Sequence, residues 1–201
     1  MASEVGVRAQ QAQETRAALV AAARRLFAEK GYHATGTPEL VAAAGVTRGA
    51  LYHHFADKEA LFEAVFRQVE GELVDSAADS VRNQPDPWRQ LQDGGQAFLK
   101  LVAANRDMQR ILLIDGPAVL GWRRWRELDT GTTLGLMTVS FTGLIEAGTI
   151  AAQPVEPLAH LVLAALNEAA LVIAHSHDPE AARAEVGPAL AYLIEGLKAR
   201  P

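Results

Sequence analysis

The sequence predicts an all-α protein, with a compact N-terminal unit of three helices followed by a larger C-terminal helical bundle, about nine helices together. Three observations predict it. Of 201 residues 49% are hydrophobic but only 6% aromatic, so the core must be built largely from alanine and leucine, which favour helix over sheet. Apolar residues recur at helical spacing between Gly and Pro interruptions. No segment alternates Val, Ile or Thr with polar residues over the length of a strand.

The elements follow in order. Residues 1–13 are polar and are expected to form a flexible arm. From Glu14 to Lys30, Leu19, Ala23, Leu26 and Phe27 make one helical stripe, which Gly31 ends as a C-terminal cap. Thr37-Pro38-Glu39 opens a short helix: a hydroxyl to cap, a proline for the first position, a carboxylate at the positive end. Gly45 stops that helix, and Thr47 caps a second short one running to about His54. Asp57 caps a long helix from Lys58 to about Asn83, with Leu61, Val65, Val69 and Leu73 on its apolar side.

Pro85 and Pro87 then break the chain. Helix resumes over Trp88–Asn105, and a weaker helix over Asp107–Asp115 is expected to end at Gly116-Pro117. Gly121 to Glu146 reads as helix despite Gly131, Gly135 and Gly143. The last two helices are expected over Pro157–His175 and Pro179–Leu197, with Pro188 kinking the final one. No stretch reads as a membrane span, and the polar N-terminus does not read as a signal peptide.

Charge narrows the function classes. The formal net charge is −5, which excludes a uniformly basic nucleic-acid coat but not a local basic face. Residues 1–60 carry a net +1 and the remainder −6, which permits an N-terminal anion contact on an otherwise soluble body. The absence of cysteine excludes disulfides, thiolate metal sites and a cysteine nucleophile. There is no Gly-x-Ser-x-Gly, phosphate-loop, His-Glu-x-x-His or dinucleotide fingerprint, so no enzyme and no cofactor are expected. His53 and His54 point about 100° apart on a helix, and His175 and His177 fall at a helix end that suits them electrostatically. No metal site is expected.

The informative window is Thr37 to Leu61, TPELVAAAGVTRGALYHHFADKEAL. Two short helices meet at Ala44-Gly45-Val46, where a glycine with positive φ lets the second leave at a steep angle. Helices this short are unstable alone, so the Leu19–Phe27 stripe must support them. The outer face of the second helix presents Thr47, Arg48, Gly49, Tyr52 and His53, which are donors, a small residue and flat rings. Gly49 and Ala50 make sense there if another surface must come very close. Such a face suits the major groove of DNA, with Arg48 for a base edge or phosphate, Tyr52 for a backbone oxygen and Lys58 for a flanking phosphate.

Residues 14–66 resemble the DNA-binding domain of the TetR family of transcriptional regulators. The resemblance is carried by Phe27, Gly31, Tyr32, Thr37, Val41, Ala42, Ala44-Gly45-Val46, Gly49, Leu51-Tyr52, His54-Phe55, Lys58 and Leu61. It implies a helix-turn-helix domain over 14–60, an effector-binding and dimerisation domain over 61–201, and a cytoplasmic homodimer on a near-palindromic operator. It implies that Arg48 reads bases while Thr37, Tyr52 and Lys58 touch the backbone. Thr47, Gly49, Ala50 and His53 complete the expected DNA-binding set. Two departures stand out: Leu40 occupies a usually polar position, and Gly36 replaces a common Ser or Thr.

The resemblance also places an effector cavity among Phe98, Met108, Leu112, Trp122, Trp125 and Phe141, with Trp88 and Leu113 nearby. Asn167 belongs to a polar sector of the penultimate helix, with His160, Glu168 and His175, that faces either a partner chain or the pocket. Arg123, Arg124 and Arg126 read as a solvated face, or as partners of an acidic ligand. The last two helices are expected to form half of an intersubunit four-helix bundle. The expected function is an effector-responsive repressor released from operator DNA by a small molecule, without a membrane partner. The alternative is a helical small-molecule-binding protein or enzyme that binds no DNA, and an activator is not distinguished from a repressor.

Overall fold

The computed structural model describes residues 2–199, so Met1, Arg200 and Pro201 lie outside the described residues. The elements are α1 (Ala2–Lys30), α2 (Thr37–Ala44), α3 (Arg48–His54), α4 (Lys58–Val81), α5 (Pro87–Ala104), a single turn α6 (Arg106–Met108), α7 (Gly116–Glu146), α8 (Val155–His175) and α9 (Pro179–Glu195). A π-helical segment, Gln109–Asp115, joins α6 to α7. Among the described residues extended pairing is limited to an isolated bridge between Ile150 and Lys198.

Caps explain most boundaries. Thr47 Oγ1 accepts from the Ala50 N–H at 3.2 Å, Asp57 Oδ1 from the Ala60 N–H at 2.7 Å, and Asp178 Oδ1 from the Ala181 N–H at 3.0 Å. Gly31 and Gly45 take the left-handed conformation, at φ 84° and 66°.

Four expectations are corrected. Residues 2–13, read as an arm, continue α1 as helix. Thr37 is the first residue of α2 rather than its cap; Gly36 holds the cap position without a side chain to offer. The helix beyond Asp107 does not stop at Gly116-Pro117; the break comes at Gly121, whose φ of 73° and ψ of 153° are not helical. Finally, α8 is long and apolar enough to pass for a membrane span by length and composition, with 56% of its most apolar window buried inside the protein.

Packing places α1 against α2 and α4, and α5 and α7 against α4, while α8 packs on α5 and α7 and α9 on α5 and α8. Leu19, Ala23, Leu26 and Phe27 of α1 meet Leu40 of α2, Leu51 of α3 and Leu61, Phe62 and Val65 of α4, all buried. Phe27, Tyr32 and Phe62 stack in a triangle with centroids 5.2–5.6 Å apart. The same hydrophobic cluster runs on through Phe66, Val69 and Leu73 into the bundle. The short helices therefore sit on a support that is continuous with the C-terminal half.

Candidate functional site

The face of α3 is built by local rules. Gly45 reverses the chain after α2, and the Val46 N–H returns to the Val41 carbonyl at 3.0 Å. Leu51 turns inward and is fully buried. Helical geometry then sends Arg48, Gly49, Tyr52 and His53 outward, and all of them are exposed, as is Thr47. Ala50 and Thr37 are half-buried at the edge of the face. Leu40 lies wholly within the core, which accounts for an apolar residue at that position: it contributes to packing and does not reach the surface.

Nothing in the fold requires a glycine at position 49. Its backbone is not left-handed, and a Cβ there would meet only Thr47 Oγ1, at 3.8 Å. The Arg48 guanidinium lies over the Tyr52 ring, 5.6 Å from its centroid, and Tyr52 is 43% exposed. Stacking holds the cation over the face without neutralising it.

Behind this face the Tyr32–Thr35 turn is held from two directions. The Lys58 ammonium donates to the Tyr32 carbonyl at 2.9 Å and the Thr35 carbonyl at 3.0 Å, and it sits 3.9 Å from the Tyr32 ring centroid. Burial holds its pKa below that of a free lysine. Lys58, expected at a flanking phosphate, has two of its three donors engaged within the protein. From the other side, Asp115 of the π-helical segment accepts the Tyr32 N–H at 2.9 Å, and Arg110 reaches the Lys30 carbonyl at 3.4 Å. Asp115 is buried, with Arg110 Nε 3.5 Å away.

The C-terminal half holds an open cavity of about 520 Å³ between α4, α5, α7 and α8, with Ile194 of α9 also in its lining. Val74, Ala77, Ala78 and Val81 of α4 form one wall; Leu136 and Val139 of α7, both exposed, stand at its mouth. A smaller space of about 30 Å³ adjoins it, sharing Val74, Phe98 and Thr133.

The predicted cavity residues divide. Phe98 lines both spaces, and Leu112, Leu113 and Asn167 line the smaller one. Met108, Trp122, Trp125 and Phe141 line neither. Trp125 and Phe141 are buried core, with the Trp125 indole N–H donating to the Leu112 carbonyl at 2.8 Å. Met108 is likewise buried in the core, away from both spaces. Trp122 is 66% exposed, because the break at Gly121 resets the helical phase and turns its ring outward. Trp88 is buried, its indole N–H directed to Glu195. Of the three arginines, Arg124 pairs with Glu63 and Glu127, Arg126 lies 3.5 Å from Asp129, and Arg123 points to solvent.

Sequence reasoning missed Glu70 and Asp129, which face the smaller space from α4 and α7. Burial, then the charge of Asp129, pushes the Glu70 carboxyl up to about 7; burial pushes Asp129 up to about 6. Asp129 accepts a hydrogen bond from the Asn167 amide. The two carboxylates are 59 residues apart in sequence, and no spacing rule joins them.

Residues 19–65 match the family model of bacterial regulatory proteins of the tetR family, and residues 88–197 match the tetracyclin repressor-like C-terminal domain. The Transposon Tn10 TetC protein of Escherichia coli is 27% identical over 72% of each chain. The transcriptional repressor BepR of Brucella suis is 32% identical over 52% of this chain and 50% of its own. The crystal structure of a TetR-family transcriptional regulator from Pectobacterium atrosepticum is 36% identical, superposes with a TM-score of 0.84, and covers 96% of this chain and 98% of its own. The exposed α3 face, the helical bundle behind it and matches that together span most of the chain lead to one conclusion: this protein belongs to the TetR family of DNA-binding transcriptional regulators.

Proposed function

We propose that the protein is a homodimeric repressor that reads its operator through the exposed face of α3 and leaves it when a small molecule fills the 520 Å³ cavity. Thr47, Arg48, Gly49, Tyr52 and His53 enter the major groove, with Ala50 and Thr37 at the flanks. Arg48, held over Tyr52, reads a base edge; Tyr52 and Thr37 position the backbone. Lys58 fixes the supporting turn and keeps a third N–H for a phosphate. Two-fold symmetry sets the half-sites about 34–36 Å apart, or a multiple of that. Repression is the sign named for BepR.

One observation carries the coupling: α4 serves both ends. Lys58, its first residue, holds the turn beneath the DNA-reading face, and Val74–Val81 wall the cavity. A ligand that displaces this wall moves the support of the reading head. The π-helical segment adds a parallel link, since Leu112 and Leu113 face the smaller space while Asp115 holds Tyr32. The effector must favour the DNA-incompetent arrangement by about 1–3 kcal/mol for useful control.

The test is selection of bound fragments from the source genome, followed by titration of the recovered operator. Arg48→Ala is expected to weaken specific binding by ~1–3 kcal/mol and to relax the preference at one base pair. Unchanged affinity and selectivity remove the assigned role from Arg48. Failure to retain any fragment removes the proposal.

A further inference from the structure

The cavity has a polarity of its own. Its walls are apolar along α4, α5, α7 and α8, and among the described lining residues there is no lysine, arginine or histidine. At the inner end, where the two spaces share Val74, Phe98 and Thr133, stand Glu70, Asp129 and Asn167. Asp129 has company: the Asn167 amide donates to it, and Arg126 is 3.5 Å away. Glu70 has none among the described residues. Arg67, the cation that acts on it, is itself held by Glu63 at 3.0 Å. Of the three arginines of α7, Arg126 is taken by Asp129, Arg124 by Glu63, and Arg123 points to solvent.

A carboxylate facing an apolar space without a counter-charge is costly, and the cost falls when a ligand brings the missing cation. We infer that the effector is an apolar molecule carrying a single protonated amine or other compact cation, seated with its charge on Glu70 at the inner end and its apolar body along the 520 Å³ cavity. Asn167 and Asp129 complete the polar end: the carboxylate adds a second acceptor and the amide keeps that acceptor oriented. The raised Glu70 pKa accords with a group waiting for a positive partner. This inference rests on the reading of the cavity as the effector site and specifies the chemistry that site accepts.

The experiment compares a matched series on the full-length protein: decylamine, decanol and decanoate. Binding is measured by calorimetry and operator release by fluorescence anisotropy, on the parent chain and on Glu70→Gln, Asp129→Asn and Asp75→Asn. Decylamine is expected to bind about ten- to a hundred-fold more tightly than decanol, the worth of one charge-assisted hydrogen bond. Decanoate is expected to bind most weakly. Glu70→Gln should erase the preference for the amine and leave decanol binding in place, which also shows that the variant is folded. Asp129→Asn should reduce the preference, and Asp75→Asn, at an exposed position of the same helix as Glu70, should leave it intact.

If decanol or decanoate binds as well as the amine and releases the operator, the cation inference is overturned while the cavity keeps its regulatory role. If the amine binds in a Glu70-dependent way without releasing the operator, the cation inference stands and the regulatory reading fails. If none of the three binds, both fall.

Discussion

Gly49 offers a test in which stability and function are expected to move in opposite directions. The residue lies one position inside α3, its backbone is not left-handed, and a methyl group there would meet nothing closer than Thr47 Oγ1 at 3.8 Å. Gly49→Ala therefore costs no strain and gains helix propensity, about 0.5–1 kcal/mol. For a chain of this size that corresponds to a rise in Tm of roughly 1–4 °C. On DNA the same methyl projects from the face assigned to the major groove. Forced into a closely packed contact it should cost about 1–3 kcal/mol, a loss of some five- to 150-fold in operator affinity. Thermal unfolding followed by circular dichroism supplies the first quantity, and anisotropy titration of the selected operator at fixed salt supplies the second. A variant that gains stability and binds the operator as tightly as the parent would show that no duplex approaches Gly49, and the assignment of α3 as the reading helix would fail with it.

Three further outcomes are expected. Asp115→Ala removes the acceptor of the Tyr32 N–H and should cost ~1–3 kcal/mol in urea unfolding, with hydrogen-exchange protection lost at Tyr32; protection at parent level would show that the link to the bundle is not made there. The native state binds a proton on Glu70 more tightly than the unfolded chain does, so stability falls as pH rises from 4.5 towards 7. Glu70→Gln should match the parent below that window and exceed it by an amount on the order of 1–3 kcal/mol at pH 8, and a pH-independent difference would contradict the assigned titration. Sedimentation at micromolar concentration should give about twice 21.5 kDa. Tyr192→Glu, at an 84% exposed position on α9 beside exposed Leu193, should shift the proposed dimer to monomer; a monomeric parent would refute the proposed bundle.

Much of the DNA-reading half was legible in the chain because its signals are local. Thr47 and Asp57 cap helices within three residues of themselves, and Gly31 and Gly45 adopt positive φ where the chain must turn. The outward set Thr47, Arg48, Gly49, Tyr52 and His53 follows from helical phase once Leu51 is taken as core. Lys58 opens its helix where the sequence puts it, but two of its donors go to carbonyls within the protein. Its carbonyl acceptors belong to a turn more than twenty residues earlier, and such a meeting depends on how α4 crosses α1.

The cavity shows the other limit. Phe98 lines it while Trp125 and Phe141 pack beside it as core, and as large apolar residues on amphipathic helices all of them carry the same signature. Trp122 faces solvent because one glycine, Gly121, breaks the helical phase. Glu70 and Asp129 became neighbours only when α4 and α7 packed together. The sequence by itself determined most of the helices, the caps at Thr47 and Asp57 and the exposed face of α3, since these depend on interactions within a few residues. Tertiary structure decided where the cavity opens, which residues line it and how α4 and the π-helical segment join it to the Tyr32–Thr35 turn, because those depend on the crossing and rotation of helices distant in the chain.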